Sequence, residues 1–287
     1  MYLEVLISYY LIDQQDKWSD KTRITNKERL SQIDLNLPVS RISQGHFQRW
    51  LDGLSVSVHT KKSYASTLNT FLRWAYRNEY CELLKVALSN KDRKDLQVRR
   101  IKYITLEQLE TLCDTLDTLT GNRKSKYTPV SRTRLYMKEI WRFAFWQALR
   151  REEIIRIQPG DIQNLRFITI HGKGGSVDTI PIVEPAKEIL KPWLDKNQNP
   201  LFGLTSSKNL WRTFNECVNI AFPGSGLNLH SLRHGGIVHY LSQGIGINFV
   251  SKLARHKSVR ITADVYGDII PTSVEDAFKN IPGISPK

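Results

Sequence analysis

The chain has 287 residues and carries 42 Lys and Arg against 28 Asp and Glu, a formal net charge of +14. That length allows two domains, each with its own core, and no apolar run approaches the roughly 20 residues that span a bilayer. The opening Met1-Tyr2-Leu3-Glu4 lacks a signal peptide's basic flank, and Cys81, Cys113 and Cys217 fit neither a disulfide framework nor a zinc site, so reduced, mostly buried thiols of a cytoplasmic protein are expected.

The first hundred residues read as all-helical. A helix is predicted from near Leu3 to Asp13 and another from near Asn26 to Leu35, with Pro38 marking the break. Ser43 caps a short helix carrying Phe47, Trp50 and Leu51. Tyr64, Leu68, Phe71, Leu72 and Ala75 then recur at helical spacing after a start near Ser57 and Thr60. Lys61, Lys62, Arg73 and Arg77 lie among the polar positions of that helix, as a DNA-facing stripe or as a solvated face. From Lys91 to Lys102 the chain turns strongly basic (Lys91, Arg93, Lys94, Arg99, Arg100, Lys102) without apolar periodicity, the pattern of a linker.

Thr105-Leu106-Glu107-Gln108 fits a capping box that opens a second domain. A long helix is predicted over Arg132 to Ala148, with Leu135, Ile140, Phe143 and Ala144 among its buried positions. Two strands follow, Phe167 to Ile170 and Thr179 to Val183, joined by Gly172-Lys173-Gly174-Gly175. After Pro185 the helical pattern returns. The expected layout is thus 1–90 helical, 91–103 linker, 104–270 a mixed domain and 271–287 a tail. No internal repeat interrupts it.

An excess of positive charge attracts polyanions, of which nucleic acid is the commonest. No Lys-rich amphipathic helix or lipidation signal speaks for a membrane instead. Four sites in the second domain carry groups suited to phosphodiester chemistry. At Ala148-Leu149-Arg150-Arg151-Glu152-Glu153 an Arg ends one helix and Glu153 can brace it. Lys173 sits at the hairpin tip, and the sequence around it is not a P-loop, because Gly follows the Lys where Ser or Thr is needed. His230-Ser231-Leu232-Arg233-His234 puts His230 and Arg233 on one helical face. A metal at His230 and His234 would need further ligands, and no HExxH-type Glu is present. Ala254-Arg255-His256-Lys257-Ser258 is followed, ten residues after His256, by Tyr266.

This ordered set resembles the tyrosine recombinase (phage-integrase) family over nearly the whole chain. The resemblance implies a mainly α fold with a small β-sheet: an N-terminal helical core-binding (SAM-like) domain and an α+β catalytic domain, closing as a C-shaped clamp on DNA. It places Arg150 at the first family Arg, Glu153 at its supporting acid and Lys173 at the hairpin Lys. His230 and Arg233 take the His-x-x-Arg pair, His256 the second His and Tyr266 the nucleophile. Ala148 and Arg255 stand where the family usually has Gly, a residue that reaches backbone angles others avoid, and Arg151 leaves open which of two arginines faces the phosphate.

The implied reaction is site-specific recombination through a 3′-phosphotyrosyl intermediate, with no metal, ATP or other cofactor. His230 is the candidate to take the Tyr266 proton, His256 to orient the phosphate and Lys173 to protonate the leaving 5′ oxygen. The implied assembly is a homotetramer on paired double-stranded DNA sites, with accessory DNA-bending proteins among possible partners. Val274, Ala277, Phe278 and Ile281 are spaced for a helix that docks on a neighbour or folds back on its own domain. No separate arm-site module is expected ahead of the core-binding domain. A type IB topoisomerase-like relaxase and a non-catalytic architectural DNA binder are the competing readings. Covalent capture of cleaved DNA separates the second of these from the rest.

Overall fold

The computed structural model describes residues 1–97, 101–121, 136–196, 198–204 and 206–267, with the side chains of Gln97, Thr120 and Lys173 outside that description. The chain divides into two compact units, Met1–Arg100 and Ile101–Lys287.

The first unit packs α1 (Leu3–Asp13), α2 (Asp20–Leu30), α3 (Gln44–Asp52), α4 (Val58–Arg77) and α5 (Asn90–Gln97). Its core gathers Leu6, Phe47, Leu51, Leu68 and Phe71 around Tyr10, whose ring meets Trp18 and Phe71 edge-on at 5.3 Å. The face of α4 expected from spacing is the buried one: Tyr64, Leu68, Phe71, Leu72 and Ala75 all point inward. α1 and α4 fall where the pattern puts them.

Two elements differ from expectation. The helix predicted over Asn26 to Leu35 lies at Asp20–Leu30, because the Ser19 hydroxyl accepts from the Thr22 amide and starts it early. Its composition is so polar that apolar spacing does not mark its start. The segment expected as a basic linker is helical in its first part. There the Ser89 hydroxyl accepts from the Asp92 amide at 3.1 Å, and Asp92 lies 3.9 Å from Lys61 of α4. A cap and charged contacts thus order a run that carries little apolar patterning. The boundary between the two units falls at Arg100, inside the 91–103 segment.

The second unit contains α6 (Leu106–Gly121), α7 (Met137–Trp146), α8 (Arg151–Ile154), a three-stranded sheet, and α9 (Glu184–Leu194) to α13 (Val259–Tyr266). Between the last two lie α10 (Ser207–Ala221), α11 (His230–Ser242) and α12 (Ile247–Leu253). The capping box at Thr105 is present: its hydroxyl accepts from Gln108 N, and its amide donates to the Gln108 side chain. Ile140, Phe143 and Ala144 are buried on α7, while Arg132 to Leu135 lie outside the described residues.

The sheet is antiparallel in the order β1 (Ile162–Gln163), β2 (Phe167–His171), β3 (Val177–Pro181), with Ile168 paired to Ile180 and Ile170 to Asp178. Its second long strand starts two residues earlier than Thr179. Gly174 and Gly175 turn the hairpin with φ of 76° and 80°, a region open to glycine.

α7 and α11 form the spine that carries the site. Trp141, Phe143, Phe145, Phe214 and Leu232 are sealed in the core around them. Gly235 and Gly236 let α11 settle onto its neighbours: a Cβ on Gly235 would overlap the Ile104 carbonyl, and one on Gly236 the Phe145 carbonyl. Both obstacles are backbone, so they cannot rotate away. Gly236→Ala is expected to destabilise the protein by about 2–3 kcal/mol, at the upper end of overpacking costs, read as a lowered urea midpoint with an unchanged m-value.

Candidate active site

The end of α7 sets the first charged group. Ala148 adopts φ 46°, a left-handed conformation that turns the chain and delivers Arg150 as the N-cap of α8. The Arg150 amide donates to Glu153 Oε2 at 2.7 Å and its guanidinium to Glu153 Oε1 at 2.7 Å, so one carboxylate caps the helix and braces the side chain. Arg151 instead pairs with Glu152, whose Oε1 also accepts from Ser207. Of the two adjacent arginines, Arg150 is the one turned toward the site.

α11 supplies the second. Arg233 is 2 % exposed; it donates to the Ala148 carbonyl at 2.6 Å and also to the Ala254 carbonyl. Burial lowers its pKa to about 9, with Arg150 and Arg255 adding to the effect, and it remains a cation at neutral pH. The same guanidinium thus ties the end of α7 to the end of α12, and its orientation is fixed by folding.

The turn between α12 and α13 brings a third guanidinium that the motif pattern does not include. Arg255 has φ 54° and its side chain points inward, 1 % exposed. It donates to Glu153 Oε2 at 2.7 Å, the Ala148 carbonyl at 2.9 Å and the Leu253 carbonyl at 2.5 Å, while its own carbonyl accepts from Arg150 at 3.2 Å. Burial disfavours the charge on Glu153, but Arg255 and the hydrogen bonds from Arg150 outweigh it and hold the carboxyl below its usual range. Both places where the family pattern has Gly thus keep left-handed backbone, at a cost on the order of 1–3 kcal/mol each. At Arg255 the side chain's bonds offset that cost.

Tyr266 ends α13 and is 1 % exposed, packed with Ala148, Ile237 and Ala254. Its hydroxyl lies 2.5 Å from His234 Nδ1, and its ring stacks on His256 at 6.4 Å between centroids. Burial pushes the phenol up to about 12, partly countered by Arg233. His256 bonds Thr262 through Nδ1 at 2.8 Å and is held down to about 4, first by burial and then by Arg233, Arg150 and Arg255. His230 is exposed at the start of α11, edge-on to the His234 ring at 4.6 Å. The backbone of Lys173 forms the hairpin tip, and its side chain lies outside the described residues. The tail from Asp268 onward, with Val274, Ala277, Phe278 and Ile281, is likewise outside them.

Arginines, three histidines and a tyrosine are thereby drawn together from four separate stretches of chain. The pattern of the Phage integrase family matches residues 102–270. The chain belongs to that family, the tyrosine recombinases. It is 22% identical to the tyrosine recombinase XerC of Syntrophus aciditrophicus (strain SB), covering 75% of this chain and 89% of the relative. It is 24% identical to the tyrosine recombinase XerA of Pyrococcus furiosus, over 81% and 91%. Among solved structures, a lambda integrase dimer bound to a COC′ core site superposes with a TM-score of 0.69 at 16% identity, covering 100% of this chain and 81% of that one. The Tn1549 transposon integrase with transposon right-end DNA gives 0.69 at 12%, over 97% and 98%. These likenesses support the expected mainly helical fold with its small sheet.

Within this tyrosine recombinase, motif spacing missed two features. Arg255 stands out in the sequence only as a break in the glycine pattern, and His234 only as a neighbour of Arg233. Two outcomes test the site's electrostatics. Glu153→Ala strands buried cations and is expected to cost on the order of 3–5 kcal/mol in chemical denaturation. His256 has its ordinary value of 6.5 when unfolded and about 4 when folded. The unfolded chain therefore takes the proton first, and stability is lost as pH falls from 6.5 toward 4. In thermal melts across that window, His256→Gln should show a shallower decline than the wild type.

Proposed function

We propose that this tyrosine recombinase cleaves and rejoins double-stranded DNA at specific sites with Tyr266 as nucleophile and Arg150 and Arg233 as the clamp on the scissile phosphate. The observation that carries the reading is that Tyr266 stacks on His256, whose pKa is held down first by burial and then by Arg233 and Arg150, so nucleophile and cations share one locality. In-line attack spreads negative charge onto the non-bridging oxygens. Guanidiniums fixed in advance by Glu153 and by the Ala148 and Ala254 carbonyls meet that charge without reorganising. His256 orients the phosphate, and the Tyr266 proton passes to an imidazole of the α11 motif, for which spacing names His230. Lys173 at the hairpin tip protonates the departing 5′ oxygen. The 3′-phosphotyrosyl bond conserves the energy of the broken phosphodiester, and a 5′ hydroxyl of a second duplex resolves it.

The first unit contributes non-specific grip. Lys62, Ser66, Thr70, Arg73 and Arg77 form an exposed stripe along α4, and Lys91, Arg93 and Lys94 are exposed on α5. Lys61 serves differently, bonded to the Asp52 carbonyl and near Asp92. Arg99 and Arg100 belong to the same proposed DNA-binding set and lie outside the described residues. The working assembly is a homotetramer on paired sites in the cytoplasm, with the 271–287 tail docking on a neighbouring protomer and DNA-bending proteins assisting. A lambda integrase tetramer on a Holliday junction, 17% identical with a TM-score of 0.66, supports that stoichiometry.

On a nicked suicide substrate, wild type should give a covalent protein–DNA band in denaturing electrophoresis and Tyr266→Phe none. Arg150→Ala should slow band formation on the order of 100- to 1,000-fold. A band of wild-type intensity from Tyr266→Phe rules out the assignment. Arg73→Ala with Arg77→Ala should weaken binding to all duplexes alike and lower the salt slope by roughly 2.

A further inference from the structure

The tyrosine hydroxyl is where the chemistry starts, and its partner is a residue outside the motif set. His234 follows Arg233 on α11, half-buried, with Nδ1 2.5 Å from Tyr266 Oη. The two rings lie 5.7 Å apart at 54°, and His230 packs edge-on behind His234. His234 touches His230 on its own helix and Tyr266 from α13. Around that pair, His256 stacks on Tyr266 and Arg233 acts on the phenol, with Arg150 and Arg255 in turn acting on Arg233.

We propose that His234 is a catalytic residue, the general base that takes the Tyr266 proton during cleavage and returns it during rejoining. The proposal rests on Tyr266 being the nucleophile. With its proton on Nε2, the imidazole presents the Nδ1 lone pair to the phenol. As the Oη–P bond forms, the Oη proton passes to Nδ1. The P–O5′ bond breaks, and its electron pair leaves on O5′, which takes a proton from the acid at the hairpin. Rejoining reverses each transfer, and no oxidant, metal or further reactant is needed.

Two observations make a base necessary here and single out this one. Burial holds the phenol near 12, so the free phenolate is scarce at neutral pH. The His234 imidazole lies within hydrogen-bond distance of Oη, whereas His256 bonds Thr262 through Nδ1. Arg233 lowers the phenol's pKa but, being a cation, accepts no proton.

The test is single-turnover formation of the covalent adduct on a suicide substrate, followed across pH. His234→Ala should slow the adduct on the order of 100- to 10,000-fold at unchanged DNA affinity. It should also lose the wild-type decline in rate on acidification through the imidazole range. His234→Gln keeps a hydrogen-bonding group near Oη but cannot take its proton, and it should be as slow. A substrate with a 5′-bridging sulfur, which leaves without an acid, should not restore either variant. The proposal fails if His234→Gln cleaves within about threefold of wild type with the same pH profile, or if the sulfur substrate rescues it. Tyr266→Phe is run alongside. An adduct from that variant overturns the nucleophile assignment itself, whereas its absence with a fast His234→Gln overturns only the base.

Discussion

The Ala148 carbonyl is the point on which the site depends. It accepts from Arg233 of α11 and from Arg255 of the α12–α13 turn, and it belongs to the residue whose left-handed backbone aims Arg150. A carbonyl carries two lone pairs, and here each is given to a different guanidinium. Three elements far apart in the chain therefore share one reference atom. Glu153 closes the arrangement from the other side, with one oxygen on Arg150 and the other shared between the Arg150 amide and Arg255. Cations that would repel one another are held together because each has a fixed acceptor, and their orientation is set by folding.

The spine explains how such precision is reached by helices that are otherwise ordinary. Gly235 and Gly236 bring the backbone of α11 against the Ile104 and Phe145 carbonyls. Arg233, two residues earlier, is carried with it to the end of α7. Trp141, Phe145 and Phe214 fill the space beneath. Core packing and catalytic geometry are thus settled by the same helix contact, and a small displacement of α11 would move a charged group as well as a hydrophobic one.

Much of this was legible from residues alone. The apolar spacing of α4, the Thr105 capping box, the hairpin and the motif residues all carry local signals, and local signals are what spacing records. The start of α2 was not legible because a serine cap, rather than an apolar stripe, begins it. α5 was not legible because its order comes from the Ser89 cap and the contact with Lys61, a residue some thirty positions earlier. The inward turn of the Arg255 side chain depends on Glu153 and Ala148, about a hundred residues away, and nothing near position 255 announces it. The contact between His234 and Tyr266 is of the same kind, since it exists only once α13 lies on α11.

The left-handed backbone at Arg255 has a bearing on how this chain can change. Glycine suits the angle better than any other residue, yet Glu153 now has an oxygen committed to the guanidinium. A glycine there would relieve the backbone and at the same moment deprive a buried carboxylate of a partner, two effects of opposite sign. Conversely, an arginine placed there without Glu153 would bury an uncompensated charge. Each residue has become a condition for the other, so positions 153 and 255 are entrenched as a pair, and drift at either is limited by the state of its partner.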